Sequence, residues 1–264
     1  MSEHRARKRF GQHFLHDPFV IERLLMAIAP QPQDRLVEIG PGLGALTCPL
    51  LERAGRLHVV ELDRDVIPLL EQKCGGKGEL EVTEIDALRF DFSRLVENDK
   101  PLRLVGNLPY NISTPLIFHV LESAARISDM HFMLQKEVVD RICAAPGSKD
   151  YGRLSVMVQY FCATESLFDV GPGAFKPPPK VDSAIVRLIP HAAPPVAVDD
   201  LRIFKSLVAS AFNQRRKTLR KILKGQLDTA AIEALGLDSN IRPEQLGLQE
   251  FATLANRLVD QAAR

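Results

Sequence analysis

Residues 36–44 read LVEIGPGLG, a short strand-forming run that passes directly into a turn with glycine at 40, 42 and 44. Glycine at alternate positions permits a tight turn and lets a ligand come close to the backbone. A helical pattern, Ala45–Arg53, follows at once. Strand, glycine turn and helix in that order open an α/β unit, and the rest of the chain is read from there.

Outward from this unit the same alternation repeats. Further strands are expected at Leu57–Glu61, Leu80–Ile85, Leu102–Gly106 and Met130–Leu134, with a helix at Pro115–Ser123 behind the capping candidates Ser113 and Thr114. Upstream, Asp17-Pro18 reads as an N-cap with proline at the first helical position, opening a helix through Ile28. Such alternation predicts a mostly parallel sheet covered on both faces. After a helix at Leu154–Phe161 the rhythm changes. The runs Glu165–Val170 and Ala184–Ile189 flank GPGAFKPPPKVDS with no helical pattern between them, so an antiparallel hairpin is expected to close the sheet. PHAAPPVAVDD, residues 190–200, reads as a linker. Beyond it, Phe204, Leu207, Val208, Ala211 and Phe212 follow helical spacing, and the remainder reads as all-helical. The expected division is 1–191 and 192–264.

Composition narrows the function classes. The chain has 264 residues, 45% apolar and 25% charged, with a net charge of +1, so the total charge selects no partner. Its distribution is uneven. Arg202 to Lys224 holds eight basic residues and no acid, and Arg5, Arg7, Lys8 and Arg9 cluster near the start. Cys48, Cys74, Cys143 and Cys162 are widely spread with no C-x-x-C pair, which predicts reduced thiols and neither a disulfide frame nor a metal site. His13 and His16 lack the cysteine or carboxylate company a metal pair needs. Glu3 and the brevity of the basic start argue against a transit peptide, and no secretory h-region is present. The longest uncharged run, Leu104–Leu121, carries two Asn and two Pro and is no membrane span. A cytoplasmic monomer is expected.

In an open α/β sheet ligands bind beyond the carboxyl ends of the strands, where strand order reverses. The residues in that place are Gly40 and Gly42 after the first strand, Glu61 after the second, Asp86 after the third and Asn107 after the fourth. Each alone has an ordinary explanation as a turn glycine or a solvated acid. Four in register suit an adenosine-bearing ligand, with glycine backbone at its sugar and tail, Glu61 on the ribose hydroxyls and Asp86 accepting from the adenine amino group. A nicotinamide dinucleotide wants G-x-G-x-x-G for its pyrophosphate, and Leu46 stands where the third glycine belongs. S-adenosylmethionine carries no phosphate, and its sulfonium needs carboxylate or carbonyl company.

The stretch VGNLPYNIST, residues 105–114, then sets an amide, a rigid proline and an aromatic ring at a strand end. An adenine amine is a poor nucleophile because its lone pair is delocalised into the ring. The Asn107 oxygen and a carbonyl of Leu108 or Pro109 can accept its hydrogens and aim the lone pair, which is catalysis by positioning. Pro109 fixes the turn, and Tyr110 offers a face to an extruded base. The ordinary alternative is a turn with a core tyrosine.

Through KRFGQHFLHD, EIGPGLGALT, VVELDRD, GNLPYNIST, FKPPPKVDSA and AFNQRRKTLRK, the chain resembles the ribosomal RNA adenine N6,N6-dimethyltransferases along essentially its whole length. Within them it most resembles the bacterial small-subunit enzymes linked to kasugamycin resistance. The resemblance implies a Rossmann-like class I methyltransferase domain with a seven-stranded mostly parallel sheet and a small all-helical C-terminal domain. It implies that His13, Leu15, Gly40, Glu61, Asp86 and Asn107 contact the methyl donor, that Asn107 to Tyr110 form the catalytic corner, and that Phe175 is a second aromatic against the target base. It further implies two adjacent adenines near the 3′ end of 16S ribosomal RNA as substrate, in an assembling small subunit, each receiving two methyls.

NQRRKTLRKILK, residues 213–224, reads as a helix burying Leu219, Ile222 and Leu223, with Arg216, Arg220 and Lys224 along another side. No acid interleaves, so Arg215, Arg216, Lys217, Arg220, Lys221 and Lys224 are candidate phosphate contacts, against the alternative of a solvated face. Competing readings are an adenine methyltransferase for large-subunit RNA or DNA, an assembly factor acting by binding, and a nicotinamide dehydrogenase.

Overall fold

A computed structural model describes residues 13–262. The basic cluster Arg5–Arg9 and Phe10 lie outside the described residues. In chain order the elements begin with β1 (Phe14–Leu15) and α1 (Pro18–Ile28), followed by β2 (Arg35–Ile39), α2 (Thr47–Ala54), β3 (Arg56–Glu61), α3 (Ile67–Cys74) and β4 (Glu79–Glu84). Next come β5 (Leu102–Asn107), α4 (Ser113–Leu121), β6 (Ile127–Gln135), α5 (Lys136–Cys143), α6 (Arg153–Phe161) and β7 (Cys162–Val170). The chain continues with β8 (Phe175–Lys176), β9 (Ser183–Pro190), α7 (Leu201–Asn213), α8 (Leu219–Ile222), α9 (Thr229–Glu233) and α10 (Leu248–Ala262).

Among the described residues seven strands form one sheet in the order β4-β3-β2-β5-β6-β9-β7. β2 pairs in parallel with β3 on one side and β5 on the other, so strand order reverses between β2 and β5. β9 enters antiparallel beside β6, and β7 is its neighbour at the edge. The last four residues of β2 are all buried, as a central strand covered on both faces requires. α1 starts where its sequence says. The Asp17 carboxylate accepts the N–H groups of Phe19 at 2.8 Å and Val20 at 3.1 Å, and Leu24, Leu25 and Ile28 face the core. Each of those side chains stabilises by roughly 1.5–3 kcal/mol when fully buried.

The chain separates into two compact units, one made of the described residues up to Val139 with Ala163–Pro190, the other of Asp140–Cys162 with the described residues from His191 onward. The second unit takes in a segment from the middle of the chain, which a single boundary after residue 191 does not contain. α6 packs on α7 within it, with the Tyr160 and Phe204 rings 4.9 Å apart. No helix among the described residues is long and apolar enough to cross a membrane.

Two expectations are corrected. Cys48 and Cys74 form a disulfide with their Cα atoms 5.0 Å apart, while Cys143 and Cys162 are not disulfide-bonded. The bonded pair sits on α2 and α3, helices that pack together, so a sequence separation of 26 closes in space without any motif. Residues 213–224 are also not one helix. α7 ends at Asn213, residues 214–218 turn, and α8 covers only Leu219–Ile222. The amides of Leu219 and Arg220 donate instead to Ile241 O at 2.9 Å and Ser239 O at 3.0 Å, which diverts them from a continuous helix. The apolar part of that reading holds, since Leu219, Ile222 and Leu223 are buried.

Candidate active site

The carboxyl ends of β2, β3, β4 and β5 open onto a cavity of about 310 Å³ within the first unit. Each turn that follows a strand contributes to its wall: Gly40 and Gly42, Glu61 and Leu62, Asp86, and Asn107 through Ile112. The segment His13 to Leu15 lines the same space. The residues expected at the four strand ends are therefore brought together. Gly42 is needed for two reasons. Its φ is +53°, and a Cβ there would stand 3.1 Å from Cδ1 of the Phe14 ring.

Glu61 is 8% exposed, and its Oε1 accepts the N–H groups of Leu62 and Asp63, both at 2.8 Å. Burial raises its pKa above the ordinary carboxylate value, opposed by those backbone donors. They lock the carboxyl in one orientation at the cavity wall. Asp86 caps its own turn, with Oδ1 accepting the N–H of Leu88 at 3.0 Å.

The corner after β5 is held from several directions. Asn107 Nδ2 donates to the His13 carbonyl at 2.9 Å. Because that carbonyl can only accept, the amide is oriented and Oδ1 is the end left to receive hydrogens. Leu108 N–H donates to Met133 O at 3.1 Å, and the Pro109 carbonyl accepts the N–H of Ile112 at 3.1 Å. The Tyr110 hydroxyl is hydrogen-bonded to Ser183 Oγ at 2.6 Å, and the His13 ring stacks on Tyr110 with centroids 5.4 Å apart. His13 Nδ1 lies 2.8 Å from Pro177 O.

Phe175 stands apart from this group. It is 2% exposed, pairs with Leu15 across the β1/β8 ribbon, and packs in the core with Leu24 and Leu25; it does not line the cavity. The ring beside Tyr110 is His13. Two residues at the site escaped the sequence reading. Glu38 lies inside EIGPGLG but reads as a strand residue, and Ser183 lies inside FKPPPKVDS with nothing local to reveal its bond to Tyr110.

The basic candidates lie in the second unit. Arg216, Lys217, Arg220, Lys221 and Lys224 are exposed. Arg215 is engaged, pairing with Glu244 at 2.6 Å and donating to Lys149 O at 2.7 Å.

A doubly wound sheet with one antiparallel strand, a cavity at its switch point and an Asn-Leu-Pro-Tyr corner beside it define a Rossmann-like methyltransferase. Comparison with known proteins narrows this. The family model described as ribosomal RNA adenine dimethylase matches residues 3–260. A protein of Pseudomonas fluorescens strain Pf-5, "Ribosomal RNA small subunit methyltransferase A", is 60% identical over 98% of this chain and 96% of its own length. The protein of the same name from Pseudomonas aeruginosa is 60% identical over 98% and 96%. Among solved structures, a dimethyladenosine transferase from Plasmodium falciparum superposes with a TM-score of 0.78 at 27% identity, covering 95% of this chain and 98% of that one. The 23S rRNA methyltransferase ErmE superposes at 0.73 and 28% identity, covering 93% and 99%. The chain belongs to the ribosomal RNA adenine dimethylase family. It is an rRNA adenine dimethyltransferase.

Proposed function

We propose that this enzyme transfers methyl groups from S-adenosylmethionine to the N6 amines of two adjacent adenines in the 3′-terminal hairpin of 16S rRNA, within an assembling small subunit in the cytoplasm. The observation that carries the reading is the Asn107 amide, tied by Nδ2 to the His13 carbonyl so that Oδ1 is left for the substrate amine. The cavity suits the donor: buried Glu61 for the ribose hydroxyls, Asp86 for the adenine amino group, and the Gly40–Gly42 backbone with His13 and Leu15 along the remainder. S-adenosylmethionine supplies an electrophilic methyl on a sulfonium.

The chain's own residues do the positioning. Asn107 Oδ1 accepts one amine hydrogen. Since the Pro109 carbonyl already holds Ile112, the Leu108 carbonyl is the better second acceptor. Two acceptors hold the amine so that its lone pair faces the methyl group, and Tyr110 supports the ring. No strong base is needed, because the amine becomes acidic once it carries the positive charge, and its proton leaves to solvent. The enzyme acts as a monomer and uses no metal. Residues 1–191 carry the chemistry, and 192–264 carry RNA contacts through Arg216, Lys217, Arg220, Lys221 and Lys224.

Incubation with labelled donor and under-methylated small subunits, followed by nuclease mapping, tests this. Label in two neighbouring adenines of the 3′ hairpin is expected. Label elsewhere, in large-subunit RNA or in DNA, would overturn the substrate assignment. Subunit binding without any label would favour an assembly factor.

A further inference from the structure

The glycine turn of the cavity wall rests on a cysteine pair. Gly42 and Leu43 line the cavity on one side of Gly44, and Ala45 and Leu46 on the other. Gly44 itself sits at φ +74°, and a Cβ there would stand 2.7 Å from Cδ1 of Leu70 and 3.3 Å from the Sγ atoms of both Cys48 and Cys74. The disulfide therefore lies directly against the backbone of the turn. Both helices that carry it also hold the turn by hydrogen bonds. The N–H of Cys48, in the first turn of α2, donates to Gly44 O at 3.3 Å, and Lys73, next to Cys74 on α3, donates from Nζ to Leu43 O at 2.8 Å. Cys48 and Cys74 are buried together with Leu50, Leu51 and Leu70. In so dense a setting two separate thiols need room that one cross-link does not, and the neighbour they press on is the glycine turn. Cys74 ends α3 and is followed by exposed Gly75 and Gly76, so the pair is reached by local opening at that helix end.

Resting on the donor reading above, we propose that the Cys48–Cys74 pair positions the donor wall, and that its thiol–disulfide state sets donor affinity. Bonded, the pair holds the glycine turn in the shape that receives the donor. Opened, it frees α2 from α3 beneath the turn, and the wall loosens. The exchange partner is a small thiol of the glutathione class. One such thiolate attacks a sulfur of the pair, breaking the Cys48–Cys74 bond and leaving a mixed disulfide. A second attacks the small-thiol sulfur of that mixed disulfide and releases the remaining cysteine. Two electrons pass to the pair, each cysteine takes up a proton, and the two small thiols leave joined as their own disulfide. Where small thiols keep most cysteines reduced, a disulfide that forms is usually transient and redox-sensing, and a bond beneath a ligand wall suits that use.

The full chain is equilibrated across ratios of reduced to oxidised glutathione, quenched by alkylation and read by mass spectrometry, with S-adenosylmethionine affinity measured by calorimetry on the two end states. The oxidised form is expected to bind the donor about five- to twentyfold more tightly than the reduced form. Coupling is reciprocal, so saturating donor should move the thiol–disulfide equilibrium constant of the pair by the same factor. A cross-link that serves stability alone would show no such shift. Cys48→Ala/Cys74→Ala, checked for folding by thermal melting, should bind the donor with one affinity in both buffers; if it does not fold, the two states of the parent still decide. Equal donor affinity in the two states would overturn the inference and leave the donor reading intact. So would a bond that opens at no glutathione ratio in the folded protein, cysteines that stay thiols in oxidised glutathione, or a redox response that persists in the folded double variant. A parent protein that binds no donor in either state would sink the donor reading, and this inference with it.

Discussion

At Asn107 a single hydrogen bond fixes the direction of the side chain on which the proposed reaction depends. Its Nδ2 is satisfied by a backbone carbonyl 94 residues away in sequence, so the other end cannot turn inward without leaving a donor unpaired. Asn107→Ala is therefore expected to lower methyl transfer by about two to three orders of magnitude, the range for removing a group that acts on developing charge. Affinity for small subunits should stay within about twofold. Single-turnover assays beside filter binding check this, and loss of binding with normal transfer would defeat the assignment. Gly42 acts differently, through shape. Gly42→Ala adds a Cβ 3.1 Å from the Phe14 ring on a backbone at φ +53°. It should cost about 1–2 kcal/mol of stability and weaken donor binding, because the wall that carries both the glycine turn and Phe14 must shift. Denaturant melts with donor titration would show both effects together.

Among the elements, the two-residue strand β1 does more than its length suggests. Pairing with β8 holds the His13 backbone and ring at the β5 corner, so a segment from the start of the chain completes a site built by the sheet. The basic stretch behaves as two groups. Arg216, Lys217, Arg220, Lys221 and Lys224 are exposed and carry the proposed phosphate contacts. Neutralising them together should flatten the log–log salt dependence of subunit binding by about 0.7 to 0.9 for each phosphate no longer neutralised, with donor affinity unchanged. An unchanged slope in a folded variant would make them a solvated surface. Arg215→Ala should act on stability instead. It removes the Glu244 pair and the bonds to Ser148 O and Lys149 O, a loss of about 1–2 kcal/mol, read as an earlier thermal transition.

Over the whole molecule, stability carries the signature of a histidine enclosed in the sheet. His131, on β6, is 1% exposed, and burial pushes it down to about 4, with Arg103 and Arg187 adding to that effect and Asp129 opposing it. In the unfolded chain the same group takes a proton near pH 6.5. The native state thus favours the neutral ring. The stability this contributes is complete above about pH 6.5 and is lost as the pH falls from there through about 4. The loss is on the order of 2–3 kcal/mol. Urea unfolding across that range should show the slope, and His131→Leu should flatten it. A slope unaltered by that substitution would place the acid sensitivity in other groups.

Periodicity made most of the architecture legible. LVEIGPGLG, the repeated strand-then-helix rhythm and the Asp17-Pro18 cap are local patterns, and short-range physics gives them one outcome, so β2 through β6 and α1 fell where they were expected. The strand-end positions of Glu61, Asp86 and Asn107 were legible too, because parallel strands deliver their carboxyl ends to one side. What required the tertiary structure is everything set by partners distant in sequence. Cys48 met Cys74 because two helices pack together, and α8 starts apart from α7 with its first amides bonded to residues 239–241. Phe175 went into the core, and His13 took the place beside Tyr110, through a ribbon of two residues on each side. Glu38 shows the division most sharply. The sequence put a carboxyl in a strand, but only the packing around it removed water, and that loss of solvation pushes its pKa above the ordinary carboxylate range.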